Sequence, residues 1–143
     1  MATRWTVPDA STPTYKAMQM YRNYDGQGSM FGDTSIEATV PDPDGLSAFA
    51  ALRSGDGAMT VMVINKDLSN AASISMTLAH FAQSGTAQVY QLTSANVIQQ
   101  LTNVAWANGV LKDTEPAQSI TLYILPQSRA RQPAATRGRL AHP

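Results

Sequence analysis

A single amphipathic helix in front of a long run of short strands is the feature that most constrains the fold of this chain. Residues 12–24 predict the helix, because Thr12 is a good N-cap and Pro13 stands at the first helical position, where proline is tolerated. The run Asp25-Gly26-Gln27-Gly28 then ends the helix, with Gly26 in the left-handed conformation. The apolar side chains of this helix share one face, and that face needs another surface to pack against.

The rest of the chain, from residue 34 to residue 125, shows short apolar segments separated by turn signals. Residues 54–57, Ser-Gly-Asp-Gly, join two such segments and predict a hairpin loop. Residues 59–64 are nearly all apolar, which predicts a central strand covered on both faces. The predicted strands are 34–40, 46–53, 59–65, 71–78, 87–92 and 119–125, with two weaker ones near 97–101 and 109–112.

Two of these strands alternate between apolar and polar residues. In residues 73–78 and 119–125 every second side chain is Ile, Leu or Met, which predicts one buried face and one face in water. Seven or eight short strands with turns every 8 to 12 residues predict an all-β fold, an antiparallel β-sandwich preceded by one amphipathic helix.

The pattern divides the chain into three parts. Residues 1–33 form an N-terminal segment and helix that look like the end of another domain, and residues 34–126 form the sandwich. Residues 127–143 lack the apolar pattern, so we expect a disordered tail. A hydrophobic content of 43% over 143 residues is enough for one domain with a real core.

Charge and composition exclude several classes of function. Four of the ten basic residues lie in the tail, so the body to Pro126 has six basic against ten acidic residues, a net charge of −4. An acidic body repels phosphate backbones, so we expect no nucleic-acid binding by the fold itself. No apolar run approaches the roughly 20 residues of a membrane span, and the start lacks the features of a signal peptide. The absence of cysteine excludes disulfides and thiolate metal sites.

Catalytic chemistry has few residues to draw on. The histidines are His80, at a predicted strand end, and His142, in the tail; no nucleophile-elbow motif accompanies them. Most carboxylates stand beside Gly, Pro, Ser or Asn, where turn formation explains them, and only Glu37 is predicted in mid-strand. We therefore expect a structural or surface role for His80 and no catalytic carboxylate pair.

Two binding sites remain as candidates, although no metal site is predicted. Asp42 and Asp44, or Asp25 with Asp33, are candidate calcium ligands because calcium prefers oxygen donors, although neither pair has the spacing of an EF-hand loop. No cofactor is predicted. Trp106 lies in a polar stretch rich in turn residues, so we expect it to be exposed and able to stack against a sugar ring.

The first third of the sequence resembles a known family. The runs Arg4-Trp5, Pro13-Thr-Tyr-Lys-Ala17, Met20-Tyr-Arg-Asn-Tyr-Asp-Gly26 and Phe31-Gly-Asp-Thr-Ser35 resemble the region where the catalytic barrel ends in family 44 glycoside hydrolases, which are endoglucanases and xyloglucanases. Residues 61–66 look like the strand and turn of the β-sandwich that follows in that family. Family 51 arabinofuranosidases show a looser version of the same join.

The resemblance implies a role without catalysis. In that family two glutamates of the (β/α)8 barrel act as acid/base and nucleophile, and no position here matches either motif, so no role carries over to Glu37 or Glu115. Residues 12–24 look like the last barrel helix, and the rest looks like a secreted enzyme's accessory sandwich, with the barrel as its partner. Three possibilities stay open for the helix on its own: folding onto the sandwich, forming a homodimer, or remaining mobile.

Three functional hypotheses follow. In the first, the chain is an accessory domain of a polysaccharide-degrading enzyme that supports the catalytic barrel. In the second, it is a carbohydrate-binding module for β-glucan or xylan that uses Trp106. In the third, it is a small enzyme in its own right, which requires acids or His80 gathered in a cleft.

Overall fold

The computed structural model describes residues 6–127, and its secondary structure agrees closely with the sequence pattern. Helix α1 spans Pro13–Arg22, with the Thr12 side chain accepting a hydrogen bond from the backbone N–H of Tyr15. The Arg4-Trp5 run of the resemblance and residues 128–143 of the predicted tail lie outside the described residues. The strands are β1 Thr34–Ile36, β2 Leu46–Leu52, β3 Met59–Asn65, β4 Ala72–Thr77, β5 Gly85–Leu92, β6 Ile98–Ala107, β7 Val110–Glu115 and β8 Ser119–Leu125.

The eight strands form one antiparallel sheet in the order β1-β2-β3-β8-β5-β6-β7-β4. The sheet curls, since a single apolar cluster joins Val61 of β3, Val89 of β5, Leu111 of β7 and Tyr123 of β8 on its inner face. The prediction of an all-β antiparallel fold behind one helix is confirmed. Among the described residues no helix is long and apolar enough to cross a membrane.

The β2–β3 hairpin forms as predicted from its turn sequence. Its register runs from Leu46 opposite Asn65 to Leu52 opposite Met59, and Gly57 takes a positive φ of 70° in the turn. Strand β3 is buried on both faces, which confirms the prediction of a central strand.

Strand β8 is the main departure from the predicted strands. Its alternating sequence predicts one face in water, but nearly every residue of β8, including Thr121 and Tyr123, is buried, so that prediction is wrong. The sheet order explains the difference, because β8 lies between β3 and β5 with the inner core on one side and α1 on the other.

Helix α1 packs on the outer face of the sheet. Met20 and Tyr24 are buried there against Met62 of β3, Tyr90 of β5 and Leu122 of β8. Of the three possibilities left open by the sequence, the structure shows the helix folded onto the sheet. The apolar face that motivated a homodimer is therefore covered within one chain, and the homodimer stays a prediction, as does the origin of the helix in a barrel.

The loop after the helix is anchored to the sheet by its backbone. Phe31 N–H donates to the Tyr21 carbonyl at 2.9 Å, and Gly32 N–H donates to Thr60 Oγ1 at 3.0 Å. A Cβ at Gly32 would lie 2.6 Å from the Leu52 carbonyl oxygen, so only glycine allows this approach.

Candidate functional site

Trp106, the predicted sugar-stacking residue, is buried in the inner core. Only 3% of its surface is exposed, and its indole Nε1 donates to the Ala82 carbonyl at 2.9 Å. The prediction of exposure is wrong because residues 98–107 form a long strand, β6, whose inward face carries Trp106 opposite Gly85. In this structure no face of the indole is open to a sugar ring.

The sequence contained a signal for this arrangement. Asn108 and Gly109 take φ values of 52° and 70° and form the two-residue loop between β6 and β7, with Trp106 opposite Leu111. Asn-Gly between alternating segments is a strong hairpin signal, and two positive φ values are what such a loop requires. This Asn108-Gly109 signal predicts a hairpin, and a hairpin places Trp106 on a paired strand.

Exposed aromatic side chains lie elsewhere, at the junction of α1, its loop and β2. Tyr21, Phe31 and Phe49 line a pocket of about 400 Å³, which we call the aromatic pocket. Phe49 is 48% exposed, and the Tyr21 and Phe31 rings meet edge to face with centroids 5.3 Å apart. Sequence reasoning missed Phe49, although its position between Ala48 and Ala50 gives it the opposite face of β2 from the core residues.

Asp25 and Asp42, two of the four candidate calcium ligands, accept hydrogen bonds within their own turns. Asp42 Oδ1 accepts hydrogen bonds from the backbone N–H of Asp44 at 3.1 Å and of Gly45 at 3.4 Å. Asp25 Oδ1 accepts a hydrogen bond from the backbone N–H of Gln27 at 2.8 Å. Asp33 Oδ1 accepts a hydrogen bond from the backbone N–H of Ser54 at 3.0 Å. These contacts confirm turn formation as the role of Asp25 and Asp42, whereas Asp33 joins the loop after the helix to the turn between β2 and β3. In residues 6–127 no three His, Asp or Glu side chains come together as a metal site, and the calcium ligands remain candidates only.

Two carboxylates do meet, in the core rather than in a cleft. Tyr123 Oη lies 2.7 Å from Glu115 Oε1 and 2.9 Å from Asp113 Oδ2, and Thr121 Oγ1 donates to Glu115 Oε2. Glu115 is the fully buried last residue of β7, whereas Glu37, the one acid predicted in mid-strand, lies just beyond the end of β1. The prediction for Glu37 is therefore wrong, and the strand glutamate is Glu115.

The two carboxylates of this cluster share one hydrogen-bond donor, the Tyr123 hydroxyl. One tyrosine hydroxyl has one proton, so it cannot donate to two ionised carboxylates at once. The Tyr123 hydroxyl lies within hydrogen-bond distance of both carboxylates, so its proton serves one of them at a time. Burial raises the pKa of Glu115, the hydrogen bonds from Thr121 and Tyr123 oppose this, and the charge of Asp113 raises the pKa further.

A second and larger opening runs between β4 and the β1–β2 end of the sheet. It has a volume of about 1450 Å³, and we call it the edge cleft. Glu37, Arg53 and His80 are the charged or titratable residues among those that line it. His80 is exposed in a turn at φ 56°, as expected for a surface histidine. The apolar side chains at its wall are Ile36, Ala38, Leu46, Leu52, Ile74 and Met76.

Comparison with known proteins gives strong matches to part of larger enzymes. CelM2, a bifunctional glucanase-xylanase from a metagenome library, is 58% identical with a TM-score of 0.86 over 90% of this chain and 25% of its own. A family 44 xyloglucanase from Paenibacillus polymyxa shares the fold with a TM-score of 0.74 at 24% identity, over 78% of this chain and 22% of that one. The predicted resemblance to family 44 glycoside hydrolases is confirmed.

Other comparisons agree with the family 44 resemblance. Endoglucanase A of Paenibacillus lautus is 26% identical over 108 residues, which is 72% of this chain and 15% of that protein. The looser match to arabinofuranosidases is also present, in a Thermotoga maritima α-L-arabinofuranosidase with a TM-score of 0.50 at 16% identity. No protein-family model matches the chain. The chain thus spans a quarter or less of the length of CelM2, of the xyloglucanase and of endoglucanase A.

Proposed function

We propose that this chain is a non-catalytic accessory domain of a polysaccharide-degrading glycoside hydrolase of the cellulase or xyloglucanase type, and that it supports the catalytic barrel. The observation that carries the proposal is the match to CelM2, which takes in 90% of this chain but only 25% of that enzyme. Most of a related glucanase-xylanase therefore has no counterpart here, and the catalytic barrel is the partner we propose.

The carboxylates of the described residues support an absence of catalysis. Glycoside hydrolysis uses two carboxyl groups on either side of the scissile bond, about 5 to 9.5 Å apart. Asp113 and Glu115 instead contact the same tyrosine hydroxyl, and Glu115 has no solvent exposure. A sugar cannot enter between them without unfolding the core.

A hydrolysis assay tests this proposal. We expect the purified 143-residue chain to release no reducing sugar from xyloglucan or carboxymethyl cellulose, with the Paenibacillus polymyxa xyloglucanase as the positive control on xyloglucan and CelM2 on carboxymethyl cellulose. Glu37 is the exposed glutamate at the edge cleft. Sugar release by the wild-type chain that is lost in Glu37→Gln would overturn the proposal, because it would place catalysis on this chain.

We also propose that the parent enzyme acts outside the cell. Cellulose and xyloglucan are polymers too large to cross a membrane, so their degradation begins where the polymer is. Culture-medium and cell-lysate fractions of the source organism, probed with an antibody to this chain, give the test; antigen confined to the lysate contradicts it.

The aromatic pocket supports a second candidate function, autonomous binding of β-glucan or xylan. Phe49 offers a half-exposed ring beside Tyr21 and Phe31, and such rings are apolar platforms for sugar faces. In this hypothesis Phe49 takes the role first assigned to Trp106.

Calorimetric titration with xyloglucan and cello-oligosaccharides decides between the two functions. For a binding module, saturable heat is expected from the wild type and from Leu68→Ala, a control at another exposed apolar residue, but not from Phe49→Ala. No heat from a folded wild-type chain leaves the accessory role alone.

A further inference from the structure

The sheet has two edges, and they face each other across the edge cleft. The edge strands are β1, which pairs only with β2, and β4, which pairs only with β7, among the strands of residues 6–127. The β1–β2 ladder stops at Ile36, although residues 37–40 continue the strand pattern in the sequence. The backbone of both edges is thus without ladder partners in the described structure.

The edge at β4 lacks the features that normally keep sheet edges from pairing. Natural edges are short, bulged, or marked by lysine or proline. Strand β4 has six regularly paired residues, Ala-Ser-Ile-Ser-Met-Thr, with no charge and no proline. Such an edge is a template for another strand.

The edge cleft also has the shape and lining that an added strand needs. Ile74 and Met76 of β4 point inward and are only partly buried, while Ser73 and Ser75 point out to solvent. Across the cleft, Ile36, Leu46 and Leu52 are partly buried in the same way. A strand beside β4 with apolar residues at every second position would complete this half of the core.

We propose that the edge cleft receives one extended strand from the part of the parent enzyme outside this chain, which pairs with β4 and closes the sheet. This rests on the proposed function, since it requires a parent enzyme. The match to CelM2 supports that source, because this fold occurs there within a chain about four times as long. Pairing of this kind gives affinity through main-chain hydrogen bonds and specificity through alternate side chains.

Two other occupants fit the cleft less well. A second copy could pair edge to edge through β4, but its strand arrives attached to a whole sheet and cannot enter between β4 and Ile36. The segment 128–143 contains four arginines and an internal proline, Pro133, and has no alternating apolar residues. A single apolar strand from elsewhere suits the cleft better than either.

A peptide scan tests the proposal on the full 143-residue chain. The probes are overlapping peptides of about 12 residues, enough to span a typical strand. They cover the part of the CelM2 sequence outside the match, and one further peptide has the sequence of residues 128–143. We expect one peptide, or two that overlap, to bind saturably in fluorescence anisotropy and to slow amide hydrogen exchange in β4.

Matched variants in β4 and β7 place the bound peptide. Met76→Lys puts a charge inside the edge cleft, and we expect it to weaken binding roughly tenfold or more, about 1.4 kcal/mol. Met76→Leu keeps an apolar side chain of similar volume in the cleft, and Thr114→Lys puts the charge on an exposed position of the neighbouring strand β7, outside the cleft lining. Each control should change affinity by less than about twofold. If Met76→Lys does not fold, amide hydrogen exchange of the wild-type chain with the bound peptide shows where the peptide binds.

Four outcomes overturn the proposal: no peptide binds, only the 128–143 peptide binds, the protected amides lie outside β4, or sedimentation shows a dimer protected at β4. None of these outcomes depends on the hydrolysis assay. A chain that hydrolyses polysaccharide overturns the accessory role, whether or not it binds a peptide. A chain that hydrolyses nothing and binds no peptide overturns only the added strand. The failures of the two proposals are therefore distinguishable.

Discussion

At the scale of single residues, Gly85 determines where Trp106 can lie. The two residues face each other across the β5–β6 ladder, and a Cβ at position 85 would overlap the indole ring. Gly85 therefore provides the space that buries the ring. A tryptophan in a polar stretch of sequence can be a core residue when its cross-strand partner is glycine.

We expect Gly85→Ala to lower the free energy of unfolding by about 1–3 kcal/mol, the usual cost of overpacking. Gly55→Ala is the matched control, because no atom lies within 4 Å of a Cβ there and its φ is not positive; a change within about 0.5 kcal/mol is expected. Urea unfolding measures both. Equal effects would contradict the tight contact between Gly85 and Trp106.

The buried Glu115 gives a second prediction at this scale. Because burial raises its pKa above the usual value of 4.5, the folded chain binds more protons than the unfolded chain above that pH. The free energy of unfolding then falls as pH rises from 4.5 through the folded pKa, by about 1.4 kcal/mol for each unit of the shift.

Glu115→Gln is expected to remove this fall, since glutamine stays neutral and its amide N–H can still donate to Tyr123. Urea unfolding of both proteins at several pH values between 4 and 8 measures the difference. A glutamine variant that loses stability with pH as steeply as the wild type would contradict a raised pKa of Glu115.

At the scale of elements, the position of helix α1 is determined by a few buried contacts. Met20 is fully buried against the sheet, whereas Met30, in the loop after the helix, is 48% exposed. We expect Met20→Ala to cost about 2–5 kcal/mol, the range for deleting a buried methionine side chain. Met30→Ala should cost less than about 0.5 kcal/mol.

Chemical denaturation followed by far-ultraviolet circular dichroism gives both values. Similar stabilities for Met20→Ala and the wild type would contradict docking of α1 on the sheet. Hydrogen exchange of the α1 amides in the Met20→Ala chain gives a second reading, and it should be faster than in Met30→Ala.

At the scale of the whole molecule, carboxyl groups with shifted pKa values make the free energy of unfolding change with pH in opposite directions. Hydrogen bonds lower the pKa of Asp9, Asp33 and Asp67 below 3.8, so their stabilisation is lost as pH falls through those lowered values. Each of these exposed groups contributes little. Glu115 acts in the other direction above pH 4.5.

We therefore expect the stability of the described fold to be greatest near pH 4, between the usual aspartate and glutamate pKa values of 3.8 and 4.5. Thermal unfolding from pH 3 to pH 8 checks this. In Glu115→Gln the decline on the alkaline side should disappear while the acid side is unchanged; stability that climbs steadily to pH 8 in the wild type would argue against the prediction.

Local sequence by itself determined the elements of this protein. The N-cap at Thr12, the apolar run of β3 and the Ser-Gly-Asp-Gly turn act over a few residues, so helix, strands and hairpin could be predicted. The motifs near the helix also identified the family resemblance. These features depend on backbone preferences and periodicity, which do not require knowledge of distant partners.

Only the tertiary structure decided which surfaces are buried. Strand β8 shows an alternating pattern, yet its place between β3 and β5 covers both faces. Trp106 is in the core because Gly85, 21 residues away in the chain, lies opposite it, and the pKa of Glu115 is raised because the sheet buries its side chain completely. Burial results from the order in which strands pair, and that order joins residues far apart in the sequence.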